Sequence, residues 1–417
     1  MKKHVVLFAL MILAIKGYSQ VTDPAVTSWI INTGSQTGYN GLPSNCQLIQ
    51  YSTANVYVSC SCIPNYSIGP WNANPNTPSN QNFVFKITRT PQQNTGTATK
   101  VGLGQTGVWS NGVVIFNPWD GFHWDNTSSS YVQGPGTTWN RNALYYEGIS
   151  FDSCLGHPAP SGAYHHHVNP QCLYNVKDST HHSPIIGYAF DGFPIYGAYA
   201  YTNANGTGAI KRMRSSYVLS TASSRTAGPP VNATYPLGCL CEDYVYTPGS
   251  GDLDDHNGRF CITPEYPAGT YAYFVTIDAN LAPVYPFVTG PTYYGTVQTG
   301  NTAQGPGNPG GHNTISETVT TYTPPVLNEV QLVNQKLDFL VYPSPTNEFL
   351  HVFIQPIFAN DFTLELYDLS GQLRAVKTNV HPTIVESMDI RALAPGTYVL
   401  KAYNADFSTQ QKVVIVH

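Results

Sequence analysis

Hydrophobic and polar residues alternate in several short segments near the C-terminus. The segments are FLHVFI (349–354), FTLELYDLSG (362–371), GTYVLKAY (396–403) and QKVVIV (411–416). Alternation with a period of two places apolar side chains on one face of a strand. Turn residues separate the segments at intervals that are typical of antiparallel sheets. The pattern predicts a small antiparallel β-sandwich over residues 336–417.

The opposite end of the chain begins with a continuous apolar run. Two lysines precede the run from Val5 to Ile15, and small residues follow it. This arrangement predicts a secretory signal peptide over residues 1–19. No later apolar run approaches the roughly 20 residues that a membrane-spanning helix needs. We therefore expect an exported protein that does not span a membrane.

The residues between these two ends have a composition that favours short strands. Charged residues make up only 10% of the chain, whereas it contains 36 Gly, 32 Pro and 29 Tyr. Turn-forming and aromatic residues favour strands joined by turns over long helices. We expect a mainly β protein, with a large disulfide-containing β-rich domain over residues 20–298. A Gly-, Pro- and Thr-rich linker over residues 299–335 should join it to the C-terminal sandwich.

Two segments of the large domain resemble each other. PSGAYHHHVNP (160–170) and PAGTYAYFVTI (267–277) both run from a Pro-x-Gly-x-Tyr turn into a segment that contains Val. A similar pair follows them, SPIIGYAFDGFPIYG (183–197) and APVYPFVTGPTYYG (282–295). The repetition predicts an internal duplication, with chance similarity among Tyr- and Gly-rich turns as the alternative.

Charge excludes one class of partner. Removing residues 1–19 takes Lys2, Lys3 and Lys16 from the 19 basic side chains and none of the 24 acidic ones, so the formal net charge falls from −5 to −8. Proteins that bind nucleic acid carry a basic surface. We therefore expect no nucleic-acid partner.

The eight cysteines lie in the first two thirds of the chain. An even number in an exported protein predicts disulfides. The alternative is a thiolate metal site at the two Cys-x-Cys segments, 60–62 and 239–241, although an oxidising compartment disfavours free thiols. Cys154 and Cys172 flank a histidine-rich segment, and we predict that they form a disulfide.

That histidine-rich segment, YHHH at 164–167, is the main candidate for chemistry. In a strand, His165 and His167 share one face, whereas Tyr164 and His166 share the other. Two imidazoles at this spacing can converge on one metal ion. The sequence therefore predicts a transition-metal site built on His165 and His167.

Such a site needs at least one further ligand. His157 precedes the strand by a turn, PAPSG, that can fold it back, and we predict it as the third ligand. Asp191 and His182 are further candidates, as they flank the apolar segment PIIGYAF. His181, His123 and an incomplete calcium loop at 252–255 are alternatives that we do not include in the predicted site.

The motifs resemble two known families. DSCLGHPAPSGAYHHHVNP, HSPIIGYAFDGFPIYG and LDDHNGRFCITPEYPAGTYAYFVT resemble the YHYH domain over roughly residues 60–297, with His166 in place of the second Tyr. VYPSP (341–345), LELYDLSGQL, LAPGTYVLKAY and KVVIVH resemble the type A sorting domain of type IX secretion substrates of Bacteroidota, with Ser344 where that family has Asn. The second resemblance implies handling by the type IX secretion machinery and a secreted or outer-membrane surface location. The first implies no particular reaction.

Two classes of function follow from these patterns. The first is a secreted metal-binding protein that holds copper or zinc, because the candidate ligands are imidazoles without thiolates. Whether it is an enzyme stays open, since Asp152 or Asp191 could serve a hydrolase as base, and Tyr164 or Tyr188 could serve a redox site.

The second class is a carbohydrate- or surface-binding module without catalysis. Trp119 and Trp124 lie among Asn, Asp and Gly, where exposed rings can stack on a polysaccharide or small-molecule ligand. A structural cell-surface protein is a third alternative. Motifs of serine hydrolases, zinc proteases and nucleotide-binding proteins do not occur in the sequence.

Overall fold

The computed structural model describes residues 21–302, 310–324, 339–354, 361–380, 386–404 and 408–416. The signal peptide predicted at 1–19 lies outside these residues. The chain forms two compact units, Met1–Thr323 and Pro324–His417, and each is described by itself. Strands contain 36% of the residues and helices 5%, which confirms a mainly β protein. In the described ranges, no helix is both long and apolar enough to cross a membrane.

Strands dominate the first unit. In the part of the chain that the structure describes, they are β1 (Cys46–Tyr51), β2 (Asn55–Cys60), β3 (Phe83–Thr88), β4 (Gln105–Trp109), β5 (Val114–Phe116), β6 (Trp119–Asp125), β7 (Ser130–Gln133), β8 (Asn140–Asn142), β9 (His157–Pro158), β10 (Tyr164–His166), β11 (Ile185–Ala189), β12 (Pro194–Tyr196), β13 (Tyr199–Tyr201), β14 (Ile210–Arg212), β15 (Tyr217–Leu219), β16 (Tyr244–Tyr246), β17 (Gly258–Cys261), β18 (Thr270–Phe274) and β19 (Thr320–Thr321). Their shortness reflects the many Gly and Pro residues, which end strands and form turns.

Helices in the described residues are also short. They are α1 (Pro24–Thr27) and α2 (Ala143–Glu147), with 3₁₀ turns at Tyr39–Gly41, Gly148–Ser150 and Cys241–Asp243. Helix α2 begins after Asn142, whose side chain accepts a hydrogen bond from the backbone N–H of Leu144. It ends at Glu147 and continues directly into a 3₁₀ turn.

A four-stranded antiparallel sheet has the order β19-β1-β2-β3. Its outer strand β19 lies within residues 310–323, which fall in the range predicted as a linker. Nearby, Glu317 accepts hydrogen bonds of 2.7 Å from both Asn55 and Tyr57. These residues join the first unit because they pair the free edge of β1 through backbone groups, which composition does not reveal.

The larger sheet of the first unit has the order β17-β18-β12-β11-β4-β5-β10-β9. Its centre is the antiparallel pair of β4 and β11. Strands β4, β5, β10 and β9 form what we call the histidine half, and β11, β12, β18 and β17 form the second half. In each half a hairpin is followed by a strand parallel to its second strand. This order agrees with the predicted internal duplication, which stays a prediction.

Both faces of this sheet are buried, because successive strand residues point in opposite directions. Val108, Val114 and Tyr188 belong to the apolar cluster that also contains the core of the four-stranded sheet. Their neighbours Trp109 and Ile115 belong to a second cluster on the other face. His165 pairs with Val114 in the sheet, which places its side chain on the first of these faces.

Smaller sheets and the second unit complete the described structure. In the first unit they have the orders β7-β6-β8, β13-β14 and β15-β16. The second unit has sheets β20-β21-β24 and β23-β22-β25-β26, from β20 (Phe339–Tyr342), β21 (Phe349–Ile354), β22 (Phe362–Asp368), β23 (Leu373–Val380), β24 (Glu386–Asp389), β25 (Gly396–Tyr403) and β26 (Ser408–Ile415). Buried residues of both sheets form one apolar cluster. The sandwich arrangement itself stays a prediction.

Candidate metal centre

A turn held by one buried carboxylate positions the histidines. Asp152 accepts hydrogen bonds from the backbone N–H groups of Cys154 (2.9 Å) and Gly156 (3.2 Å) and from the hydroxyl of Tyr164 (2.9 Å). The turn leads into β9, which pairs with β10 so that His157 lies directly opposite His165. The carboxylate of Asp152 therefore holds the turn that brings His157 beside His165.

Three imidazoles converge on the same face of the sheet. His157, His165 and His167 are each exposed by less than 5%. One ligand atom from each lies within 4.8 Å of those of the other two. The Nε2 atoms of His165 and His167 are only 3.1 Å apart. We call these three residues the triad.

Backbone carbonyl groups determine which ring nitrogens of the triad carry hydrogen. Nδ1 of His165 lies 3.1 Å from the carbonyl oxygen of Ala163, and Nδ1 of His167 lies 2.5 Å from that of Asn117. A carbonyl oxygen only accepts hydrogen bonds, so both Nδ1 atoms donate. In the neutral rings, both Nε2 atoms are therefore without hydrogen and have a free lone pair.

His157 has the same tautomer for a different reason. Its Nδ1 lies 2.7 Å from Oγ of Ser150, and that hydroxyl donates to the carbonyl oxygen of Glu147 at 2.7 Å. Because the hydroxyl has one hydrogen, it accepts the Nδ1–H of His157. The Nε2 atom of His157 is buried and has no hydrogen-bond partner among the described residues. All three Nε2 lone pairs are thus available to one cation.

Burial keeps two imidazoles of the triad neutral, those of His157 and His165. Burial, together with smaller contributions from the neighbouring imidazoles His167 and His166, lowers the pKa of His157 to about 3. The pKa of His165 is well below its ordinary value for the same reasons, burial first. A neutral imidazole is the form that binds a metal ion. These two imidazoles can therefore bind metal at neutral pH without first losing a proton.

Aromatic side chains hold the imidazole rings in place. Phe116 stacks on His165 with ring centroids 3.9 Å apart, and Phe151 packs edge-on against His157 at 4.9 Å. The triad lies at the wall of a cleft of about 520 Å³. Other residues that line this cleft include Asn74, Trp119, Asp120, Glu147 and Ile149. A bound ion would thus be shielded on one side and accessible from the other.

Two carboxylates of the cleft were not predicted from the sequence. Oε2 of Glu147 lies 3.2 Å from Nε2 of His167 and 3.7 Å from Nε2 of His157. Asp120 forms an ion pair of 2.5 Å with Arg141, and burial nevertheless raises the pKa of Asp120 to about 6. No short motif in the sequence links either residue to the histidines. They reach the site only through the packing of α2 and β6.

The structure does not bring Asp191 or His182 to the triad. Asp191 belongs to the hairpin of the second half, where its carboxylate accepts hydrogen bonds from Tyr273 (2.7 Å) and from the backbone of Gly295 (2.8 Å). The ring of His182 packs on Tyr196, with centroids 5.0 Å apart. Both candidates follow the triad closely in sequence but serve the other half of the sheet.

The remaining candidate histidines lie apart from the triad. His166 is buried on the opposite face of β10, where its ring packs on Trp109 and Tyr164. His181 is exposed and pairs with Asp178 at 2.9 Å. His123 lies on β6 and bonds to the carbonyl oxygen of Gly134. None of the three belongs to the ligand group found among the described residues.

The cysteines divide into one disulfide and six buried thiols. Cys154 and Cys172, the pair predicted from the sequence, are joined by a disulfide. The broader expectation of disulfides from the even cysteine count does not extend to the others, which are free and buried: Cys46, Cys60, Cys62, Cys239, Cys241 and Cys261. Burial raises the pKa of Cys46, Cys60 and Cys62, so these thiols are poor metal ligands as they stand.

Comparison with known families agrees with this architecture. Residues 84–285 match the family model described as YHYH protein, and residues 340–416 match the model of the secretion system C-terminal sorting domain. None of the curated proteins matches the chain. The chain therefore contains a YHYH domain, which includes the triad, followed by a type IX sorting domain. The sorting domain indicates handling by the secretion machinery and a location outside the cell or at the outer-membrane surface.

Proposed function

We propose that the YHYH domain of this exported protein binds a transition-metal ion, copper or zinc, through Nε2 of His157, His165 and His167. The observation that carries the proposal is the distance of 3.1 Å between Nε2 of His165 and Nε2 of His167. Two lone pairs at this distance repel each other unless a cation lies between them. Since burial holds the pKa of His165 well below its ordinary value, a metal ion fits this position better than a proton.

The donor set favours copper or zinc over harder ions. Imidazole nitrogen suits zinc and copper, whereas magnesium and calcium prefer oxygen donors in larger number. The second shell also has the usual form for such centres, because each imidazole donates its other N–H to a carbonyl or hydroxyl oxygen. Three nitrogen donors leave a further coordination position on the side of the cleft.

Metal content of the purified protein tests the proposal. We expect about one copper or zinc ion per chain by mass spectrometry after loading and removal of excess metal. His157→Ala, His165→Ala and His167→Ala should each lose the ion. His181→Ala, an exposed histidine with a carboxylate neighbour, is the matched control and should keep it.

His166→Ala tests whether the metal binds on one face only. His166 belongs to the same strand but faces away from the triad, so this variant should also keep the ion if its thermal unfolding shows that it is folded. Equal loss at His165, His166 and His167 in folded variants, or no metal in the unaltered protein, would overturn the proposal.

A second candidate function, a carbohydrate-binding module, is favoured by one observation. Trp119 and Trp124 are both partly exposed, and Trp119 lines the same cleft as the triad. An exposed ring beside amide groups such as that of Asn74 can stack on a sugar. Glycan-array binding by metal-free protein that is abolished in Trp119→Ala would support this function. Binding that needs the triad would instead assign the cleft to the metal centre.

A further inference from the structure

Glu147 lies beside two of the three nitrogens of the triad. It is the last residue of α2, and its Oε2 atom is 3.2 Å from Nε2 of His167 and 3.7 Å from Nε2 of His157. Four donors arranged as a tetrahedron around zinc, with bonds of 2.0–2.2 Å, are roughly 3.4 Å from one another. The two distances to Glu147 and the distance of 3.1 Å between His165 and His167 lie close to this value.

Electrostatics argue for a shared cation at this point. Nε2 of His157, His165 and His167 and Oε2 of Glu147 are all acceptors, and each faces at least one of the others. One proton can link only two acceptors, so it would leave the other two opposed. A divalent metal ion accepts electron pairs from all four. The arrangement of acceptors therefore fits a metal ion better than an ion pair between Glu147 and a protonated histidine.

No other cation in the described residues neutralises Glu147. Its ion pairs there are the two with His157 and His167. The nearby guanidinium of Arg141 binds Asp120 at 2.5 Å and lies 4.0 Å from the ring centroid of Tyr146. The charge of Glu147 is thus directed at the triad.

The backbone also fixes Glu147 relative to the triad. Its carbonyl oxygen accepts the hydroxyl of Ser150, and that hydroxyl accepts the Nδ1–H of His157. The same residue therefore approaches His157 from both sides, through the backbone at Nδ1 and through the carboxylate at Nε2. The carbonyl group of Glu147 thus takes part, through Ser150, in the outer-shell hydrogen bonds that orient His157.

We propose that Glu147 is the fourth metal ligand and that it occupies the coordination position that faces the cleft. The inference rests on the proposed metal function of the triad. The side chain of Glu147 is 30% exposed, whereas those of His157 and His167 are 5% and 3% exposed. Glu147 is therefore the ligand that a small molecule in the cleft can displace. A hard oxygen donor also favours a divalent ion over Cu(I), which prefers sulfur.

The experiment compares the full chain with Glu147→Ala, Glu147→Gln and the control Asp178→Ala. Asp178 is a carboxylate that contacts a histidine at an exposed site, 2.9 Å from His181. Zinc affinity is measured by competition with a coloured chelator, and the absorption spectrum is recorded with Co²⁺ in place of zinc. Thermal unfolding of each metal-free variant shows whether it is folded.

Both Glu147 variants should bind zinc at least about tenfold more weakly than the unaltered protein. Their Co²⁺ spectra should change in shape and intensity as water replaces the carboxylate. Azide, a small anionic probe, should bind the Co²⁺ form more tightly when Glu147 is replaced. Asp178→Ala should match the unaltered protein in all three measurements.

The outcomes separate this inference from the proposed function. If the unaltered protein binds zinc and the folded Glu147 variants show the same affinity, Co²⁺ spectrum and azide binding, Glu147 is not a ligand and the triad alone holds the ion. If the unaltered protein binds no metal, the proposed function fails, and the inference fails with it. Glu147→Gln keeps the size of the side chain, so it supports the test if Glu147→Ala does not fold.

Discussion

The two halves of the large sheet share a frame and differ in the side chains placed on it. In the histidine half, Tyr164 donates to the carboxylate of Asp152 at 2.9 Å. In the second half, Tyr271 donates to the carboxylate of Asp254 at 2.8 Å. Each carboxylate also accepts two backbone N–H groups of its own turn. The same local device thus positions β9 beside β10 and β17 beside β18.

The halves differ where the metal ligands stand. His165 pairs with His157 across β9 and β10, and Ala272 pairs with Arg259 at the same place across β17 and β18. The positions that correspond to the triad in the second half are therefore occupied by Arg259, Ala272 and Phe274. The second half adopts this frame without an imidazole at any of these three positions. The frame is consequently independent of the triad, and the triad is available for a function other than folding.

The largest expected difference between the halves is their response to acid in the metal-free protein. The folded pKa of His157 is about 3, below the ordinary 6.5, because of burial. Between these values the unfolded chain binds a proton that the folded chain does not. The free energy of unfolding should therefore be at its maximum above pH 6.5 and fall as the pH decreases towards 3. The loss from His157 alone is on the order of 5 kcal/mol when complete.

Urea unfolding of the metal-free protein at several pH values between 7 and 4 checks this expectation. His157→Ala should reduce the dependence on pH, whereas the exposed-histidine variant His181→Ala should not. Hydrogen exchange should show that acid loosens β9 and β10 before β17 and β18. If the pH dependence of stability is equal in His157→Ala and the unaltered protein, His157 does not cause the difference in acid response between the halves.

The same shift changes the expectation for the metal itself. Unperturbed imidazoles lose metal as the pH falls through roughly 6.5. Because burial lowers the pKa of both His157 and His165, protons compete less well for the triad. The pH at which half of the bound zinc is released should therefore lie below 6.5, as measured by equilibrium dialysis. Release at or above pH 6.5 would mean that the ion is bound by exposed histidines.

The disulfide is the next largest expected effect. Cys154 and Cys172 are 18 residues apart, and a loop of this size corresponds to about 3 kcal/mol in the chain-entropy model. The second half forms its turn with His256 at the place of Cys154, without a disulfide. Cys154→Ala with Cys172→Ala should therefore lower stability to urea by about this amount but keep the turn and a weakened metal site. A reducing agent should destabilise the unaltered protein and leave the double variant unchanged.

A smaller loss of stability, equal in the two halves, is expected when either of two glycines is replaced by Ala. A Cβ atom at Gly156 would lie 2.4 Å from the hydroxyl of Tyr164, and one at Gly258 would lie 2.3 Å from the hydroxyl of Tyr271. Each substitution by Ala should cost about 2 kcal/mol of unfolding free energy through overpacking. Only Gly156→Ala should also weaken zinc binding, because only that turn leads to a ligand.

Gly102→Ala is the control for both glycine variants, since a Cβ there would contact nothing within 4 Å. Its stability to urea should equal that of the unaltered protein. If Gly258→Ala were tolerated while Gly156→Ala unfolded the domain, the two turns would not be equivalent, and the shared frame would be the wrong description.

Local patterns in the sequence predicted part of this site. Strand alternation alone places His165 and His167 on one face, and the turn before them returns His157 to the same face. Asp191 and His182 were chosen for their closeness in sequence, but the chain passes from β10 to β11, and β4 and β5 lie between these two strands in the sheet. Strand order is a long-range property that a local pattern does not contain.

Glu147 was not predicted as part of the site, because a local pattern does not reveal packing between distant segments. It stands in a helix of five residues whose sequence, ALYYE, has no feature of a metal site. Only the tertiary packing of α2 against β6 and β8 brings its carboxylate to the triad. The β-rich class and the two families were predictable because they depend on composition and on contiguous motifs, whereas the fourth ligand depends on packing between distant segments.

X-ray absorption spectroscopy of the zinc-loaded full chain identifies the atoms that bind the ion. If His157, His165 and His167 bind the ion, the spectrum should show nitrogen donors at about 2.0–2.1 Å and the outer-shell scattering that three imidazole rings produce. His165→Ala, incubated with the same zinc concentration and freed of excess metal, should retain no zinc that gives this signal. Sulfur donors at about 2.3 Å, or a spectrum of oxygen donors without imidazole, would show that the triad does not bind the ion.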